Sequence, residues 1–453
     1  MFVVYIVAVI LFILILSSLL IYFLFRTSDD NDVSTLSYTP QSTNLTIIPT
    51  HKSVRIITTD SRGLYNDALL YKHIISGSKL CFIEDNDEHF MADITIYLED
   101  PRYIDHKRFP SKEIWFMVNQ ELLVQPQFEH LKHIDVFLCK SMYAYNIIIN
   151  HISMYRDKLY KSTSRIIYTK FSSNDIGKLA FRKNILIDNN IPSDKDVLDN
   201  NLTNHNNLTN NGENLEMNNP DNQIIDGITI VDHLQINKNY NKFIHFAGKS
   251  PFKNTSVVLN TWIENNGFPD LNYPKLIVTC KWDCYKKCSS DFKNFVEVSP
   301  GKFKHSYVQN IIWYKQLDED KFLKYMSHGG FFLVPSICEG YGHYINEARS
   351  VGGTIITTNH APMNELVNNN NGFLVNPYKV QPCKDIMGYD VIDGSNYADI
   401  NTKELTTVIY NAMQTPQNVL MQMGYLSRIL YDDDGKYFVE QMRNLLCDHT
   451  SVF

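Results

Sequence analysis

Short apolar runs separated by longer amphipathic stretches dominate the chain. Val54 to Thr59, Lys79 to Ile83, Ile94 to Leu98, Ile114 to Val118, Val136 to Cys139 and Arg165 to Tyr168 predict short strands. Between them, Leu64 to Ile75 and Met142 to Tyr160 repeat apolar residues at helical spacing. A second unit of the same kind has predicted strands Ile244 to Ala247, Leu276 to Thr279, Ile311 to Tyr314, Phe331 to Val334, Thr354 to Thr357 and Phe373 to Val375. Its predicted helices are Ser256 to Asn265, Glu319 to His328 and Gly342 to Val351. Strand-helix alternation predicts an α/β fold with parallel sheets covered by helices on both faces, and ligands at the carboxyl ends of the strands.

Other segments break this pattern. Phe2 to Phe25 lacks charge and is long enough, at roughly 20 residues for a spanning helix, to cross a bilayer core. Residues 1–26 are therefore expected to form a single transmembrane helix, followed by a polar stem over 27–50. Arg26 is the only nearby cation beyond this run, which weakly favours a cytosolic side for the rest of the chain, on a host membrane if the chain is viral. Residues 186–241 turn Asn- and Asp-rich, as in Asp199-Asn200-Asn201-Leu202-Thr203-Asn204, and read as a disordered insertion. This leaves domains at 51–185 and 242–430, and a C-terminal helix over 431–453.

The densest chemistry lies in Pro335-Ser336-Ile337-Cys338-Glu339-Gly340-Tyr341-Gly342-His343-Tyr344-Ile345-Asn346-Glu347. A buried strand stops at Pro335 and Ser336, and two glycines lead into a helix. Glycines allow a ligand close to the main chain, and a helix start attracts an anion such as phosphate. Carboxylates beside a phosphate would repel it, so Glu339 and Glu347 suit neutral hydroxyls, those of a sugar and a ribose. A sugar nucleotide carries all three groups.

This run resembles the E-x7-E signature of retaining GT-B glycosyltransferases, the group 1 or family 4-like class. Phe243 to Lys253, with Gly248, Lys249 and Lys253, resembles the strand, glycine and basic residues that open the donor domain of that class; Lys249 stands where an arginine is usual. Ile134 to Ser141 and Ile166 to Ser173 are similar to paired strand ends in one subgroup. The resemblance implies two Rossmann-like domains facing across a cleft, an acceptor domain followed by a donor domain, with the last helix crossing back onto the first; Golgi- or ER-type members would put the catalytic part in the lumen. It implies a UDP- or GDP-linked sugar as donor substrate, no required cofactor and no metal. It assigns Glu339 to the donor sugar, Glu347 to the ribose, and the main chain of Gly340, Tyr341 and Gly342 with Gly248 and Ser336 to the donor. Lys253 and Lys249 would meet the charge on the leaving diphosphate. Retention in this class is explained by attack on the face the leaving group departs from, the phosphate taking the acceptor proton. Glu121, at a strand end, is a candidate contact to the acceptor, which could be a glycan, protein or lipid. A sugar-nucleotide epimerase, a phosphorylase or a non-catalytic sugar-binding protein would share the fold.

Composition changes little. The 453 residues are 44% hydrophobic, enough for two domain cores, and the net charge of -7 argues against nucleic acid as the partner. Among eight cysteines, Cys280, Cys284 and Cys288 form a cluster whose spacing and missing fourth ligand do not suit structural zinc.

Overall fold

The computed structural model describes residues 52–58, 62–77, 81–83, 88, 90–183, 238–248, 250–280, 293–387 and 390–447. In the first half, β1 (Ser53–Ile57), β2 (Cys81–Ile83), β3 (Ala92–Leu98), β4 (Ser111–Met117), β5 (Val136–Cys139) and β6 (Arg165–Tyr168) form one sheet in the order β2-β1-β3-β4-β5-β6. All its pairings are parallel. Helices α1 (Arg62–Ser76), α2 (Met142–Leu159) and α3 (Ile176–Arg182) belong to this half. Strand β5 is buried along its whole length, as expected for a central parallel strand covered on both faces.

The second half holds β7 (Asn239–Gly248), β8 (Lys275–Cys280), β9 (Phe295–Ser299), β10 (Lys302–His305), β11 (Ile311–Tyr314), β12 (Gly329–Val334), β13 (Thr354–Thr358) and β14 (Gly372–Val375). Their order is β14-β13-β12-β7-β8-β11-β10-β9. Here β9 and β10 add an antiparallel edge that the sequence pattern does not announce, because Val296 and Val298 of β9 face solvent. Helices α4 (Thr255–Glu264), α5 (Glu319–His328) and α6 (His343–Ser350) follow β7, β11 and β12, and α7 (Thr402–Gln414) comes after β14.

This strand order locates the site. Strands β7 and β12 are neighbours, yet the chain leaves β7 toward β8 on one side and β12 toward β13 on the other. Such a reversal opens a crevice at the carboxyl ends of the two strands. His245 ties the strands together there: its Nδ1–H donates to the Leu333 carbonyl and its Nε2 accepts from the Thr255 hydroxyl, each at 2.9 Å. Burial pushes this imidazole down to about 4, so it stays neutral with that tautomer.

The last helix, α8 (Gln417–Cys447), starts earlier than the sequence pattern suggests and runs 31 residues, about 46 Å at the usual rise. It packs against α6 and β13 of the second half and α1 of the first. Phe438 lies 4.7 Å, centroid to centroid, from Phe171 and 5.7 Å from Tyr71, and Phe171 in turn meets Tyr341 at 5.5 Å. One buried apolar cluster thus joins residues of both halves.

The single-pass membrane placement is corrected on the described residues: no helix among them is long and apolar enough to cross a membrane. Even the longest, α8, carries Arg428, Asp432, Asp433, Asp434, Lys436, Glu440 and Arg443. Residues 1–26, on which the expectation rested, lie outside the described residues, as do the stem at 27–50 and most of the insertion at 186–241. Cys284 and Cys288 are also outside them, while Cys280 is buried at the end of β8.

Candidate active site

Two loops meet at the β7–β12 crevice. After β7, Ser250 caps a single 3-10 turn, Pro251–Lys253, and Asn254 takes a left-handed conformation that ends it. After β12, the segment from Ser336 to Gly342 leads into α6. The loops are pinned together by Ile337 N–H, which donates to the Phe252 carbonyl at 2.9 Å, and Ala398 N–H donates to the Ile337 carbonyl at 2.8 Å. Thr358 Oγ1 donates to the Ser336 carbonyl at 2.6 Å, fixing the loop to the end of β13. These bonds aim Lys253 and Glu339 at one another, and their side chains form an ion pair, both largely buried.

Gly342 begins α6 with φ 107°, a conformation that a side chain would strain. The first-turn N–H groups of the helix have no partner within it, as at any helix start. Gly340 is required for a different reason: a Cβ there would lie 1.5 Å from Asn119 Oδ1 and 2.8 Å from Glu121 Oε1. The glycine loop of the second half therefore rests directly on the end of β4 in the first. Gln120 adds a bond across this seam, Nε2 donating to the Glu339 carbonyl at 2.8 Å.

The wall opposite is polar and buried. Asn119, Gln120 and Glu121 are 6%, 0% and 7% exposed, and Asn119 Oδ1, Gln120 Oε1 and Glu121 Oε2 have no hydrogen-bond partner among the described residues. Lys140, at the end of β5, lies 3.4 Å from Glu99 and over the Phe171 ring. Burial pulls its pKa down, but Glu99, Asp67 and Glu121 outweigh this and keep the ammonium charged. His343, the first residue of α6, sits between Asp67 Oδ1 at 3.3 Å and Ser173 Oγ at 2.9 Å, both of the first half. Burial lowers this imidazole and the Asp67 carboxylate raises it, with a net upward shift.

Of the residues singled out from sequence, the crevice gathers Lys253, Glu339, Gly340, Gly342 and Glu121. Gly248 is at the end of β7 with φ 59°, and nothing lies within 4 Å of where its Cβ would be. Ser336 is fully buried and its hydroxyl has no partner. Tyr341 turns away: its hydroxyl donates to the Phe171 carbonyl at 2.6 Å and accepts from Asn346 Nδ2 at 2.9 Å, starting a chain that passes through Arg349 to Asp434. Glu347 lies one turn along α6, partly exposed. Lys249 lies outside the described residues.

Sequence reading missed Asn119, Gln120, Lys140 and Glu365. Lys140 was in view as a strand end without a role. Glu365, beyond β13, accepts from the Met142 and Tyr143 N–H groups at 2.8 Å each, so a carboxylate of one half caps α2 of the other. Nearby, Lys140, Tyr168, Lys170, Glu365 and Asp434 line a cavity of about 50 Å³. Glu365→Ala is expected to lower the unfolding free energy by about 1 to 2 kcal/mol, the usual value of a cap, read as a lower urea midpoint at unchanged slope.

Residues 304–387, which span the Glu339 to Glu347 run, match the family model for glycosyl transferases group 1. This stretch of the second half is therefore similar to glycosyl transferases group 1. No curated protein sequence matches it. Among solved structures, it is similar to trehalose-6-phosphate from E. coli bound with UDP-2-fluoro glucose, with a TM-score of 0.55, 8% identity, and 88% of this chain and 99% of that chain covered. It is also similar to the UDP-forming α,α-trehalose-phosphate synthase from Burkholderia xenovorans, with a TM-score of 0.51, 9% identity, and 87% and 81% covered. At such identities the likeness establishes the fold: the two-sheet GT-B arrangement, in which the second half supplies the glycine loop and α6.

Proposed function

We propose that the chain transfers a sugar from a nucleotide-diphosphate donor to a hydroxyl of an acceptor, with retention of anomeric configuration. The observation that carries this reading is the Lys253–Glu339 ion pair beside the Gly340–Gly342 bend and the start of α6. Diphosphate placed there would compete with Glu339 for the Lys253 ammonium. Glu339, released, then accepts hydrogen bonds from the sugar hydroxyls, while helix N–H groups and Lys253 take the phosphate charge. Gly248 leaves open space on the β7 side, and Glu347 would take the ribose. In the reaction the C1–O bond to the diphosphate breaks and a C1–O bond to the acceptor forms on the same face. The acceptor proton passes to the leaving phosphate oxygen, so no separate protein base is required.

The fold likeness to a structure holding UDP-2-fluoro glucose favours UDP as the nucleotide. Calorimetry with UDP and GDP is the test. UDP is expected to bind and, at about 100 times its Kd, to raise the unfolding free energy by roughly 2.7 kcal/mol. Absence of binding by both nucleotides would sink the proposal.

A further inference from the structure

The wall at the end of β4 holds more acidic groups than cations to neutralise them. Glu339 is matched by Lys253 and Glu99 faces Lys140, which leaves Glu121 without a cation of its own. Glu121 is 7% exposed, its Oε2 has no hydrogen-bond partner, and its Oε1 packs against the Gly340 main chain. An unpaired carboxylate in such a place costs several kcal/mol at least, so the group keeps a proton instead.

We propose that Glu121 works as an uncharged carboxylic acid that donates a hydrogen bond to the donor sugar held over the Glu339–Gly340 loop. This rests on the function proposed above and adds a binding group from the half opposite the donor loop. A carboxylate could only accept from hydroxyls; the acid can also donate to a sugar oxygen, and the bare Asn119 Oδ1 and Gln120 Oε1 beside it accept. The wall therefore recognises an uncharged, hydroxyl-rich group. A sugar carrying its own carboxylate or phosphate here would meet a row of oxygen acceptors.

The electrostatics agree. Burial is the main cause that pushes Glu121 up to about 8; Glu99 and Glu339 add to it, and Lys140 opposes it. Cys338, Cys383 and Tyr143 also face Glu121, and burial, with smaller contributions that include Glu121, raises all three, so they stay neutral here. Because the folded-state value lies above that of a free glutamate, the folded protein holds an extra proton between the two. Glu121 consequently lowers stability progressively as pH rises from about 4.5 toward 8, with no further loss above that.

The experiment uses the full chain, UDP-glucose and UDP alone as probes. Glu121→Gln keeps the shape and a donor without a titrating proton. It is expected to lose less kcat/KM for UDP-glucose than Glu121→Ala does at neutral pH, and to remove the fall of wild-type kcat/KM above roughly pH 8. Glu121→Ala is expected to lose about tenfold in kcat/KM for UDP-glucose while its affinity for UDP is unchanged, the loss of one hydrogen bond to the sugar. Equal losses in Glu121→Gln and Glu121→Ala, or an alkaline fall that persists in Glu121→Gln, would overturn the proposal. An infrared difference spectrum of wild type against Glu121→Gln reads the proton without activity: a protonated-carboxyl band is expected at roughly pH 6 and absent at roughly pH 10. Its absence at the lower pH would also overturn the proposal. If wild type binds no UDP yet shows the band, the function proposed above fails and the protonation of Glu121 survives it.

Discussion

Replacing Lys253 with alanine is expected to reduce donor turnover by about 100- to 1,000-fold, the cost of removing one preorganised donor to a developing oxyanion. Lys253 sits at the end of a 3-10 turn fixed by the Ser250 cap, and its loop is tied to the Glu339 loop through Ile337 and Phe252. The ammonium is thus placed before any ligand arrives and need not reorganise. Without it, the phosphate would face Glu339, a carboxylate only 12% exposed, with no cation between them. UDP affinity should therefore fall together with kcat/KM, read by calorimetry and by donor hydrolysis. Lys253→Arg would restore charge but spread it over a planar fork, and only partial recovery is expected. Unchanged turnover and unchanged UDP affinity in Lys253→Ala would return the Lys253–Glu339 pair to a purely structural role.

Arg428→Ala is expected to cost about 3 to 5 kcal/mol of stability, since it breaks a buried ion pair by removing one partner. Arg428, 1% exposed on α8, donates both Nη groups to Asp175 at 2.8 and 2.7 Å. It also donates Nε to Asp432 at 2.9 Å and Nη1 to the Ser350 carbonyl at 2.6 Å. One guanidinium so joins the last helix to α6 and to Asp175, which caps α3 through Lys178 N–H. Its removal takes the guanidinium from Asp175 and Asp432, whose side chains are 17% and 34% exposed. Lys178→Ala, which removes the exposed partner of the same Asp175, serves as the contrast and is expected to change stability by less than about 1 kcal/mol. Equilibrium unfolding in urea measures both, and equal effects would show that burial of Arg428 does not set its importance.

The elements that sequence marks well are those buried on both faces. Phe331 to Val334 and Ile311 to Tyr314 read as strands because a parallel sheet under helices makes a whole run apolar, and β12 and β11 are found over or around them. The antiparallel edge β9–β10 escaped because its outward valines break the alternation that would have marked it. The long α8 was seen only in its last part, since Arg428 and the Asp432-Asp433-Asp434 run look like solvent-facing charges, whereas Arg428 is buried among partners from distant segments. At the site, the local run from Ser336 to Glu347 was legible because its glycines and glutamates stand close together in sequence. The facing wall was not: Asn119, Gln120 and Lys140 gain meaning only when β4 and β5 are brought against Gly340, and no spacing along the chain encodes that approach.

The reach of α8 back to the first half sets a timetable for biosynthesis. Lys52 donates to the Leu446 carbonyl across 394 residues, and Tyr71 completes its packing only against Phe438. At the usual elongation rate of roughly 5 to 20 residues per second, the first half, complete at residue 183, would wait about 13 to 53 s for Leu446 with part of its apolar face uncovered. During that interval it is a natural client for holdase chaperones, and removal of the final turns would leave the nascent first half permanently in that unfinished state.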